Sequence, residues 1–84
     1  MIVLPNAEKV GELLAPYCND DQRSAFARWF AQRVAGKKFD DAITLDAEIG
    51  TALSDYAEEG RMSQTVAAIW YRVNGDEWLK ALTA

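Results

Sequence analysis

Eighty-four residues with a net charge of −4 make one domain, near the lower size limit at which a single hydrophobic core holds unaided. Half of the residues are apolar and 11% are aromatic, which excludes a disordered chain. There is no histidine and one cysteine, which excludes Ser-His and Cys-His nucleophilic pairs and any internal disulfide.

Periodicity and capping chemistry predict five helical segments. In the first, Val10, Leu13, Leu14 and Tyr17 fall at i, i+3, i+4 and i+7. Asn6 serves as its N-cap, Leu4 as a hydrophobic staple, and Pro16 closes it around Ala15. The second opens at Asn19, three residues before Gln22 as in a capping box, with Asp20 and Asp21 suiting the positive end of its dipole. Phe26, Phe30 and Val34 form its apolar line, and Gly36 caps its end. The third carries Leu45, Ile49, Leu53 and Tyr56 on one face and ends at Gly60, while Asp40, Asp41 and Thr44 compete as its start. The fourth begins at Ser63, runs through Val66, Ile69, Trp70 and Val73, and stops at Asn74-Gly75. A short fifth, Asp76 to about Leu82, carries Trp78, Leu79 and Leu82.

No strand pattern, repeat or linker is visible. The expected fold is therefore all-α: a single helical domain over 1–84, with four main helices and a short C-terminal fifth. Leu13, Val66, Ile69 and Val73 are expected among its core residues.

Little points to catalysis. The carboxylate doublets Asp20/Asp21, Asp40/Asp41 and Asp76/Glu77 fall at helix starts, where acids have a capping role; Glu58/Glu59 does not. No spacing matches a calcium loop, and Cys18 follows a helix end, where the dipole opposes a thiolate. No catalytic residue, metal or cofactor is expected, and the chain is expected not to be an enzyme. Met1 to Leu4 is too short for a signal peptide or a membrane span, so a cytoplasmic location without membrane association is expected.

Charge is unevenly placed. Residues 22–38 hold five bases and no acid, and residues 39–59 hold seven acids and no base. Glu48, Asp55 and Glu59 align on the third helix, flanked by Glu58. These acids form either a solvated face paired with the second helix or a stripe that docks on a basic protein surface. Trp29 lies off the Phe26–Phe30 line and Tyr71 off the Val66–Trp70 line, so each either covers the core or anchors a partner. The expected partner-binding residues are thus Glu48, Asp55, Glu58, Glu59, Trp29 and Tyr71.

A nucleic-acid surface is the alternative, using Arg23, Arg28, Arg33, Lys37, Lys38 and Arg72. Ser63-Gln64-Thr65-Val66 resembles the start of a recognition helix in bacterial helix-turn-helix repressors, with Gly60 as the turn glycine. Tyr56 stands where that motif needs a small residue, and Asp55 and Glu59 where it needs apolar ones. The fourth helix is apolar almost all round, which also allows a structural homo-oligomer such as a homodimer. The favoured expectation is a small acidic adaptor or inhibitor that acts by occupying a protein surface. In size, charge and lack of catalytic residues the chain resembles the small inhibitors that bacteriophages encode against host defences, anti-CRISPR proteins included. That likeness is one of type and implies an inhibitor of a nucleic-acid-binding host protein.

Overall fold

The computed structural model describes all residues from 1 to 84. The chain runs β1 (Ile2–Val3), α1 (Ala7–Leu14), a 3-10 turn (Ala15–Tyr17), α2 (Asp21–Val34), β2 (Lys38–Phe39), α3 (Ala42–Glu58) and α4 (Gln64–Thr83). It is mostly helical, but it has four helices and a small sheet rather than five helices.

Side-chain caps set the helix starts. Asn6, Asp20, Asp41 and Ser63 each accept from the backbone N–H three residues on. Asp20, not Asn19, thus caps α2, because its carboxylate takes the Arg23 N–H at 2.7 Å. Asp41 wins the contest at the start of α3, where it also accepts from the Thr44 hydroxyl at 2.8 Å. Gly36 and Gly60 follow α2 and α3 with φ of +72° and +81°, the left-handed geometry that ends helices.

The expectation at Asn74-Gly75 is overturned. The pair does not stop a helix; α4 is continuous over 20 residues. Asn74 is only 7% exposed and turns inward, where its Oδ1 accepts from Arg23 Nε at 2.9 Å and its Nδ2 donates to Glu77 at 3.4 Å. Gly75 lets the Tyr71 ring lie close, since a Cβ there would stand 3.2 Å from it and the ring would have to give by a few tenths of an ångström. With Asn74 inward, the buried line of α4 is Ala67, Trp70, Asn74, Trp78 and Leu82. Ile69 and Val73 are consequently on the outside, and Leu13 and Val66 are only half-buried.

The sheet is the second departure. Ile2 pairs with Phe39 and Val3 with Lys38, antiparallel. The Leu4 N–H donates to the Lys37 carbonyl at 2.9 Å and the Gly36 N–H to that of Pro5 at 3.0 Å, extending the match. Two residues per strand are too few to show alternation in sequence. Their structural effect is to press Leu4 and Phe39 onto the core.

That core is centred on Phe26. Its ring lies within 5.2–6.2 Å of the rings of Trp29, Phe30, Tyr56, Trp70 and Trp78, so α2 is packed to both α3 and α4 through aromatic contacts.

Two measurements check these assignments. Asn74→Ala leaves the part-buried Arg23 Nε without its acceptor and should cost about 1–3 kcal/mol in urea unfolding; a helix break at this position would make it near neutral. Capping holds the Asp20 and Asp41 carboxyls below their usual 3.8, chiefly through the backbone N–H groups of Arg23 and Thr44. Their stabilisation is full above the unfolded pKa and is lost as pH falls through the folded values. Asp20→Asn and Asp41→Asn should therefore flatten the acid limb of a stability-against-pH curve below about pH 4.

Candidate functional site

The expected acidic stripe is divided by an arginine. Arg33 on α2 donates through Nε to Glu48 and through Nη1 to Asp55, both at 2.7 Å, tying α2 to α3. Its guanidinium pKa is raised, mainly by the bond to Glu48. The same guanidinium stands 5.6 Å above the Trp29 ring. Trp29 is half-buried and packs on Tyr56 at 5.0 Å. Glu59 pairs with Arg61 at 3.1 Å, whereas Glu58 is exposed with no ion pair. Trp29, Glu48 and Asp55 thus meet around Arg33 on the α2–α3 flank, whereas Glu59 pairs at the turn after α3 and Glu58 has no ion pair.

Tyr71 belongs to a different surface. It is 38% exposed and lies in the notch between Gly50 and Gly75 on the outer side of α3 and α4. Its hydroxyl donates to Asp46 at 2.6 Å. The hydrogen bond to Asp46 is the largest cause of its raised pKa, and the charges of Asp46 and Asp76 add to it.

The basic set is split in the same way. Arg23 is bound to Asp20 and Asn74 and stacks 4.8 Å over Trp70, and Arg33 is held as above. Arg28, Lys37, Lys38 and Arg72 are exposed and unpaired, the first three along α2 and the start of β2, and Arg72 on α4. Burial raises the thiol pKa of Cys18. No three His, Cys, Asp or Glu side chains converge as a metal site would require, and no helix is long and apolar enough to cross a membrane.

The structure also forms a site that periodicity did not reveal. The start of α2, the end of α3 and the turn into α4 enclose an open cavity of about 450 Å³. Ala25, Tyr56, Met62, Val66 and Trp70 make its apolar wall, and Asp21, Gln22, Arg61 and Ser63 rim it. The Arg61 guanidinium rests 5.4 Å from the Tyr56 ring centre, with half of its side chain in solvent. Two local features build the recess. Gly60 turns the chain sharply after α3, and Ala25 contributes only a methyl group where α2 faces that turn. Met62 beside the turn glycine was the available sequence signal, since an apolar residue in a tight turn needs something to cover it. Val66 leads from the cavity to exposed Ile69 and Val73, at i, i+3 and i+7 along α4.

Arg33→Met keeps the stem over Trp29 but leaves Glu48 and Asp55 unpaired. It should lower stability by about 1–2 kcal/mol, after allowance for partial exposure, with a loss that shrinks as salt is added. An unchanged urea midpoint would show that the stem, which methionine keeps, and not the charge of Arg33 joins α2 to α3.

No protein-family model, no curated protein and no solved structure matches this chain.

Proposed function

We propose that this chain is a non-enzymatic protein-binding module whose main seat is the cavity between Ala25, Tyr56 and Val66. One observation carries the reading: an open apolar recess walled by Trp70, Tyr56 and Met62 and edged by Arg61. Trp, Tyr and Arg dominate interface hot spots, and methionine adapts to irregular apolar surfaces. A recess of this size takes one large side chain of a partner, with Ile69 and Val73 extending the contact along α4. Arg61 is anchored only by exposed Glu59, so it can swing off the Tyr56 ring at little cost.

This reading moves the weight from the acidic stripe to the recess. Glu48 and Asp55 are engaged by Arg33, so reversing Asp55 would disturb packing as well as any contact with a partner. The partner is a protein, and the action is occupation of its surface, as adaptor or inhibitor. A partner with a basic surface suits the remaining acidity of the α3–α4 half, where nine acids face three bases over residues 40–84.

The test is capture of partners on tagged protein from nuclease-treated lysate, followed by affinity measurement with the purified partner. Val66→Arg and Ala25→Arg block the recess and should each weaken binding by at least about tenfold while helicity is retained. Arg28→Glu, beside α1 and outside the lining of the recess, should leave binding unchanged. Capture of nucleic acid alone would favour the DNA-binding alternative, and full affinity in both blocked variants would remove the recess from the site.

A further inference from the structure

The outer groove between α3 and α4 lies away from the recess and has its own chemistry. Small residues floor one end, where Gly50, Ser54, Ala67 and Ala68 surround Tyr71. At the other end Ala42, Ile43, Asp46, Asp76 and Leu79 line a second cavity, of about 280 Å³. Ile43 is 79% exposed, an apolar side chain with nothing of this chain to cover it. Leu79 beside it is half-buried.

The two carboxylates come from different helices and line the same cavity. Asp20, Glu48, Asp55 and Glu59 each meet an arginine of this chain. Asp46 and Asp76 meet no lysine or arginine, although Arg72 and Lys80 stand one turn to either side of Asp76 on α4. Asp46 is held in place by the Tyr71 hydroxyl, so little of its side-chain freedom remains to be lost on binding.

We propose that this end of the groove seats an arginine side chain of a partner protein. Its aliphatic stem lies on Ile43 and Leu79, and its guanidinium lies between Asp46 and Asp76. Arginine fits better than lysine because its planar fork presents donors in two directions and is the more weakly hydrated cation. An amphipathic side chain of this kind covers exposed Ile43 and supplies the missing counter-charge together. The excess of acids over residues 40–84 steers such a group toward the groove. The proposal rests on the protein-binding reading only for the source of the arginine, because the recess at Val66 takes no part in it.

The test is an NMR titration of the full chain at low ionic strength with acetyl-leucyl-arginine amide. The uncharged isostere acetyl-leucyl-citrulline amide serves as control. The arginine peptide should give saturable shifts at Ile43, Asp46, Tyr71 and Leu79. Affinity should fall roughly tenfold for the citrulline peptide, and likewise in an Asp46→Asn/Asp76→Asn variant of unchanged helicity. Equal responses to both peptides, an undiminished response in the variant, or no saturable shift would overturn the seat. Shifts confined to Met62, Val66 and Trp70 would also overturn it, while supporting the recess as a binding site.

Discussion

Everything in this small fold hangs from the ring of Phe26. Its side chain is 1% exposed and packs against five other aromatic rings, two in the next turn of α2, one on α3 and two on α4. Each such pair adds about 0.5–1.5 kcal/mol beyond the area it buries, and a chain of this length has few other sources of stability. The cluster also fixes geometry. Offset and edge-on ring contacts tolerate few relative orientations, so they set the angle at which α3 and α4 meet α2. That angle leaves the recess open where α2 contributes Ala25 instead of another ring.

Arginines hold the seams that the rings do not. Arg23 joins the start of α2 to the middle of α4 through Asn74, and Arg33 joins the end of α2 to α3 through Glu48 and Asp55. Both stack on tryptophan, over Trp70 and Trp29. Each guanidinium therefore combines charge-assisted hydrogen bonds with a cation–π contact that lysine would match poorly. The same bonds have a consequence for recognition. They pair two of the five bases of residues 22–38 and two of the aligned acids within the chain, so both faces carry less free charge than their residue counts imply. Of the unpaired surface charge that is left, the bases Arg28, Lys37 and Lys38 lie along α2 and the start of β2, and the acids Asp46, Glu58, Asp76 and Glu77 belong to α3 and α4.

Local signals were legible where one residue decides one feature. Asn6, Ser63, Gly36 and Gly60 end or begin helices as their chemistry demands, and Leu45, Ile49, Leu53 and Tyr56 keep the buried face that their spacing implies. Features decided by two distant residues were not legible. Asn74 looks like a stop signal until Arg23, 51 positions away in sequence, gives its side chain a reason to be buried. Turning Asn74 inward rotates α4, which is why Ile69 and Val73 face solvent despite their apolar character. The sheet is similar, because Ile2 and Val3 become a strand only beside Lys38 and Phe39. At the candidate sites, residue types were visible in sequence but their grouping was not. Trp29 and Tyr71 stood out as off-line aromatics, yet they lie on different surfaces and serve different neighbours.

The separation of those surfaces bears on how the molecule works. A domain with one hydrophobic core has little apolar material to spare, and exposing it lowers solubility as well as stability. Apart from Met1, Val3, Tyr17 and Tyr71, the spare apolar groups here occur in two small sets, one around Val66, Ile69 and Val73 and the other at Ile43 and Leu79. Each set lies beside ionised side chains, Asp21 and Arg61 in the first case and Asp46 and Asp76 in the second. Such mixed edges keep a surface soluble when free and make it selective when covered, since an apolar partner without matching charge would strand them. The first set starts at the turn between α3 and α4 and the second lies toward the other end of the pair, with Val73 one turn from Asp76. They suit either one partner that follows α4 along its length or two partners that bind at once, and in both cases the α3–α4 pair is the element that relates one contact to the other.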